Sequence, residues 1–98
     1  TRHGYQILCR NFRCRQGEID IIARDRDYLV FIEVKYRRDE HEGDPAEAVD
    51  ARKQARILRT ARYYMTRYHI SEDTPCRFDV VAVLGSNVRL IRDAFWCG

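Results

Sequence analysis

The stretch Tyr28–Arg37 reads Tyr-Leu-Val-Phe-Ile-Glu-Val-Lys-Tyr-Arg, and it constrains the fold of this chain more than any other segment. Its β-branched and aromatic residues favour a strand. Val30, Ile32, Val34 and Tyr36 fall on one face, and Leu29, Phe31, Glu33, Lys35 and Arg37 on the other. Both faces are apolar through Phe31 and Ile32, which predicts an interior strand covered on both sides. A glutamate and a lysine two positions apart in such a strand are then partly buried, and partly buried charges require partners.

The flanking segments supply a sheet around it. In Glu18–Arg24, Ile19, Ile21 and Ala23 alternate with Glu18, Asp20 and Ile22, which predicts a second strand. Asp25-Arg26-Asp27 is a short polar turn, so the two strands form an antiparallel hairpin. Tyr5–Phe12 is β-compatible, with Gly4 before it and Arg15-Gln16-Gly17 after it. Asp44-Pro45-Ala46-Glu47 has the chemistry of a helix start, and Asp50 is placed to cap a second, longer helix. Leu58, Ala61, Met65 and Tyr68 recur through that helix at spacings of three and four, and Thr74-Pro75 ends the region. Phe78–Leu84 reads as a buried strand broken by Asp79, whose expected role is structural, as partner of a buried arginine. Gly85-Ser86-Asn87 is a turn, and Val88–Ile91 opens a last strand. This order predicts an α/β domain with a mixed central sheet: a three-strand meander, a crossover helix and two further strands, with helices packed on the sheet. The fourth strand is expected to run parallel to a neighbour.

Ninety-eight residues suit one domain, taken as 1–98. Eighteen Lys and Arg against fifteen Asp and Glu leave a net charge of only +3, so the distribution of charge matters more than its sum. No apolar run approaches the ~18–20 residues of a membrane span, and no signal-peptide pattern opens the chain. Cys9, Cys14, Cys76 and Cys97 form no Cys-x-x-Cys pair, and they read as reduced thiols of a cytoplasmic protein. The chain opens at Thr1 rather than at a methionine, and part of the N-terminus is expected to be missing. His3, His41 and His69 have no metal-ligand spacing, and Tyr63, Tyr64 and Tyr68 read as helix packing.

The hairpin can bring Asp20 beside Glu33. Two carboxylates held close repel each other, and a divalent cation relieves the repulsion. Magnesium or manganese suits such oxygen ligands. Lys35 would lie beside the ion, able to orient a bound water or to neutralise a phosphate oxygen. Phosphodiester hydrolysis needs those parts. Glu18 shares a face with Asp20 and is a further candidate ligand; as a rim acid it would instead pair with Arg24 or Arg37. Arg10, Arg13 and Arg15 form one basic cluster, and Lys53, Gln54 and Arg56 open the long helix. Together with Arg37 they are candidates for contact with a nucleic-acid backbone. The plainer alternative for all of these charges is a solvated strand or helix face.

Gly17-Glu18-Ile19-Asp20-Ile21-Ile22-Ala23, followed by Phe31-Ile32-Glu33-Val34-Lys35-Tyr36-Arg37, resembles the core of the YraN-like proteins, an uncharacterised bacterial family (uncharacterised protein family 0102). The resemblance extends through Gly4-Tyr5, Ile7-Leu8, Arg10-Asn11, Pro45–Val49, Lys53-Gln54 and Arg77–Val81. That family resembles Holliday-junction resolvases and implies a restriction-endonuclease-like core. Asp20 and Glu33 would then bind the metal with the Val34 carbonyl, and Lys35 would serve the attacking water. Some nucleases of this fold also set a polar helix residue, here Lys53 or Gln54, against the active site. The implied substrate is DNA, branched or structured, and two-fold symmetric junctions imply a homodimer. Relatives usually carry an N-terminal helix before the Gly-Tyr segment, and it is expected to be missing from this sequence. Two rivals remain: a non-catalytic nucleic-acid-binding module of the same fold, and a protein-interaction domain.

Overall fold

The structure is a computed structural model and describes residues 4–37 and 50–95. Five strands and one helix follow one another as β1 (Gln6–Cys14), β2 (Gly17–Asp25), β3 (Tyr28–Arg37), α1 (Ala51–Arg67), β4 (Cys76–Leu84) and β5 (Asn87–Phe95). The strands form a single mixed sheet in the order β1-β2-β3-β4-β5. β3 and β4 pair in parallel, and the other neighbours are antiparallel. The meander, the crossover helix and the parallel fourth strand follow the sequence pattern. The helix start expected at Asp44–Glu47, and Cys97, lie outside the described residues, among which α1 is the one helix.

Asp50 caps α1, its carboxylate accepting the Lys53 N–H at 2.9 Å. The buried stripe of the helix is Ile57, Thr60, Ala61 and Tyr64. The expected stripe of Leu58, Ala61, Met65 and Tyr68 is thus rotated: Leu58 and Met65 flank the core, and Tyr68 is exposed. Beneath α1 lies a cluster of Phe12, Ile19, Ile22, Leu29, Phe31, Phe78 and Val80. Tyr64 meets Phe12 edge-on at 5.1 Å between ring centroids. A smaller cluster of Tyr5, Ala23, Val30 and Ile32 occupies the other face.

Ile19 departs from its expected face. It joins Ile22 beneath the helix, although the two are three residues apart. The same break occurs in β1, where Cys9 and Phe12 both pack against that cluster. The cause lies between them. The β1–β2 ladder pairs Arg10 with Ile21 and Phe12 with Ile19, and the intervening Asn11 adopts φ 53°. A left-handed residue in a strand interrupts the two-residue alternation. The interruption falls on the rung shared with Asp20.

Two further features fix the frame. Gly17, at φ 147°, brings the β1–β2 turn against α1: a Cβ there would lie 2.8 Å from Arg56 Cγ and 3.0 Å from Thr60 Oγ1. On the other side of the sheet, Asp79 is fully buried, and Arg77 grips both its oxygens at 2.9 and 3.1 Å. Tyr5 donates its hydroxyl to Asp79 at 2.9 Å, and the Asp93 N–H donates to it at 2.9 Å. Asp93 is itself left-handed, at φ 54°, within the irregular stretch where the β4–β5 register shifts. Arg77 also reaches Asp25 at 3.1 Å and lies over the rings of Tyr5 and Tyr28. Desolvation works against its charge, but Asp79 and Asp25 outweigh that and hold its pKa above the usual value. Asp79 thus has the structural role expected of it, as partner of a buried arginine.

Gly17→Ala is expected to lower stability by about 1–3 kcal/mol, through backbone strain and displacement of Arg56; a urea midpoint equal to that of the unaltered protein would refute the close approach. Asp79→Ala leaves Arg77 without its main counter-charge and is expected to remove about 3–5 kcal/mol in the same measurement. A loss below about 1 kcal/mol would mean that the network contributes little.

Candidate active site

The β2–β3 ladder runs from Asp25–Tyr28 to Ile21–Ile32 and stops there. One rung further would set Asp20 opposite Glu33. At that point Asp20 Oδ2 accepts the Val34 N–H at 2.8 Å. A side-chain oxygen takes the donor that a continuing ladder would have bonded to a backbone carbonyl. Beyond it, β3 stays paired with β4 as far as Arg37–Leu84, while β2 stays paired with β1 down to Gly17–Cys14. The sheet therefore splits at Asp20 and Glu33. The hairpin end leans on α1 through Gly17, and the split opens beside the first turns of that helix.

A cavity of about 590 Å³ occupies this place, lined by residues that include Arg13, Glu18, Glu33, Lys53 and Arg56. Glu33 is largely buried, and two lysines converge on one of its oxygens, Oε1: Lys53 at 2.7 Å and Lys35 at 3.4 Å. Lys35 comes from the same strand, two residues on. Lys53 comes from the first turn of α1, four residues before the buried Ile57. The lysine side chains differ in exposure, 17% for Lys35 and 36% for Lys53. Desolvation depresses the pKa of Lys35, the neighbouring Lys53 ammonium adds to the effect, and Glu33 only partly opposes them. Lys53 is also desolvated, but its hydrogen bond to Glu33 and the charges of Glu33 and Asp20 bring its pKa above the ordinary value. Asp20 acts on Lys53 through its charge. Asp20 does not line the cavity; it is half-buried and holds Val34.

The structure joins Glu33 to Lys35 and Lys53 through two ion pairs, and it sets Asp20 on the neighbouring strand, bonded to the backbone between Glu33 and Lys35. Val34 meets Asp20 through its N–H. Glu18 is exposed and pairs with Arg13 at 2.9 Å rather than with Arg24. Among the described residues, no three His, Cys, Asp or Glu side chains are grouped closely enough to hold an ion, so Glu18 does not join Asp20 and Glu33 as a third carboxylate. Of the basic candidates, Arg13, Lys53 and Arg56 border the cavity; Arg10 and Arg15 are exposed and do not. Gln54 is half-buried and also lies off the cavity wall. Arg37 closes β3, but its side chain lies outside the described residues, as does His41. The resemblance implies Lys53 or Gln54 against the site, and the pairing of Lys53 with Glu33 is finer than that. Its signal was the helix face that Lys53 shares with Arg56 and Ile57, three and four positions on.

Fold and site define an α/β domain whose five-stranded mixed sheet parts at a carboxylate–lysine cluster, with one helix across that face. No helix among the described residues is long and apolar enough to cross a membrane. The chain belongs to the uncharacterised protein family UPF0102, whose model matches residues 1–83 and so spans every residue of the cluster. It is similar to the UPF0102 protein of Lachnoclostridium phytofermentans, with 56% identity over 95 residues, 97% of this chain and 80% of that one. A UPF0102 protein of Symbiobacterium thermophilum is 51% identical over 100 residues, covering 97% and 84% of the two chains. One from Nitrosococcus oceani is 44% identical over 96 residues, covering 94% and 77%.

The role of Asp20 in closing the ladder separates its charge from its hydrogen bond. Asp20→Asn keeps an oxygen for the Val34 N–H and is expected to change stability by under about 1 kcal/mol, whereas Asp20→Ala strands a half-buried donor and is expected to lose about 1–3 kcal/mol. Equal losses for the two, by chemical denaturation, would remove this hydrogen bond from the account.

Proposed function

We propose that this chain is a metal-dependent nuclease domain with a restriction-endonuclease-like core, acting on DNA that is branched or structured. The observation that carries the reading is the meeting of Glu33 with two lysines at a cavity bordered by arginines, where the sheet splits and Asp20 holds the Val34 N–H. A sheet with evenly paired strands offers no such opening. Here one is built at the rung that carries the acids.

The donor set suits a hard divalent cation. Asp20 and Glu33 offer carboxylate oxygens from adjacent strands, and Asp20 spends only one of its two on the Val34 N–H. Two carboxylates without a third leave several coordination positions to water, as magnesium and manganese prefer. When bound, such an ion supplies Lewis acidity toward a phosphoryl oxygen and a water of lowered pKa. The remaining work falls to the chain. Lys35, held within the strand and partly desolvated, is placed to orient the attacking water and to accept or return its proton. Arg56 and Arg13 flank the cavity and suit the phosphates on either side of the scissile bond, since a guanidinium fork matches phosphate oxygens. The cavity lies within the size range of small-ligand sites, enough for one phosphodiester and its neighbours.

Branched, nicked and single-stranded DNA incubated with the protein and manganese is the test. Cleavage is expected, with Asp20→Asn and Glu33→Gln lowering the rate by about a hundredfold or more. Binding to uncut DNA should survive those changes, weaken with salt, and lose about one unit of salt slope for each of Arg13→Ala and Arg56→Ala. Salt-dependent binding with no cutting of any substrate would leave a non-catalytic nucleic-acid-binding module. No binding even at low salt would leave a protein-interaction domain.

A further inference from the structure

We infer that Lys53 is a tethered counter-ion for Glu33, one that a divalent cation must displace before it can occupy the site. The inference rests on the metal site proposed above and adds the element that controls its loading. The cluster balances without an ion: Asp20 and Glu33 bring two negative charges, and Lys35 and Lys53 bring two positive ones. Lys53 holds Glu33 Oε1 at 2.7 Å, the closest ion pair among the described residues. An ammonium at that distance occupies space on the carboxylate that an ion would share, and it repels the ion from there.

Of the two lysines, Lys53 is the one built to leave. Lys35 is the more buried and springs from a strand paired to β4 on one side. Lys53 springs from the first turn of α1, at the cavity wall, and its side chain is 36% exposed. Rotation about its four-carbon stem carries the ammonium out to solvent, or to an anion at the cavity mouth, without moving the backbone. The Asp50 cap is held by the Lys53 backbone N–H, so the helix start is indifferent to where the side chain goes. Lys53 thus holds the Glu33 carboxylate in place before an ion arrives, at the expense of affinity for that ion. Binding of the ion and of the Lys53 ammonium to Glu33 are competing equilibria, and each weakens the other by the same factor.

The experiment is a manganese titration of the whole chain, with free ion read by electron paramagnetic resonance and no substrate present. Lys53→Met keeps the aliphatic stem and removes the charge. It is expected to tighten manganese binding about tenfold, near the lower end of coupling between linked sites. Arg56→Met removes a charge from the same cavity without touching Glu33, and its effect is expected to stay under about threefold. In a Glu33→Gln background the gain from Lys53→Met should vanish. Equal affinity of Lys53→Met and the unaltered protein overturns the inference while leaving a metal site intact. An equal gain from Arg56→Met overturns it too, by assigning the effect to overall charge, and so does a gain that persists without the Glu33 carboxylate. If no variant binds manganese, the metal reading of the site falls and the inference falls with it.

Discussion

The hydrogen bond from the Val34 N–H to Asp20 Oδ2 is the point on which the site turns. On one side of it the sheet is continuous: Ile21 and Ile32 pair, and Ala23 and Val30 beyond them are wholly buried. On the other side β2 follows β1 and β3 follows β4. Strands can part in a sheet only if the donors and acceptors they abandon find other partners. Asp20 satisfies one such donor with its side chain, so the split does not leave the Val34 N–H stranded. The left-handed Asn11 lies on the same rung and lets β1 turn with β2. Gly17 then receives the hairpin end onto α1, closer than any side chain would permit. Three residues of ordinary appearance therefore produce an opening in a sheet that is otherwise regular from β2 to β4.

A second carboxylate uses the same device to a different end. Asp79 also sits at an irregular rung and also accepts a backbone N–H, from the left-handed Asp93. Its surroundings are closed. Arg77 binds it through two bonds, Tyr5 donates a third side-chain contact, and no solvent reaches it. Burial and the Asp79 hydrogen bond push the Tyr5 hydroxyl above its ordinary pKa, and the group remains a donor. Every bond there is made within the protein, between rigid or enclosed partners. At Glu33 the partners are two ammonium groups on flexible stems beside a cavity. Burial alone would have ranked Asp79 above Glu33 as a site. What separates them is whether the counter-charges can move.

The sequence made the frame legible because β3 is so apolar, and because the turns and the Asp50 cap carry strong local chemistry. An interior strand, a two-strand hairpin and a crossover helix leave few arrangements, and the parallel β3–β4 pair is one of them. Asp20, Glu33 and Lys35 could be placed together on that frame by spacing. Ile19 could not be assigned to its face, since strict alternation has no means of anticipating a left-handed Asn11. The buried stripe of α1 lies about one residue from where hydropathy sets it, because Thr60 and Tyr64 are buried through specific contacts that hydropathy does not weigh: the Thr60 hydroxyl bonds back to Arg56, and Tyr64 packs on Phe12 and Phe31. Lys53 was legible as a base on a helix but not as a partner of Glu33, for that requires the angle at which the helix crosses the sheet.

Electrostatic balance sets the terms on which the cluster can work. Two carboxylates and two ammonium groups are neutral together, so the cluster needs no added ion for charge balance. Such a set is nonetheless a poor source of stability, because desolvating four charges offsets most of what their attraction returns. Apolar side chains would fill the same space more securely, as they do one and two rungs away at Ile32 and Phe31. Adding a doubly charged ion would upset the balance, and the positive charge to be shed lies at one of the lysines. Lys35 is the more buried, and its lowered pKa makes its proton the easier to lose. Lys53 is the more exposed, and its charge is more readily moved than neutralised. The two lysines on one carboxylate oxygen are therefore not duplicates: one gives up its proton more readily, the other its position.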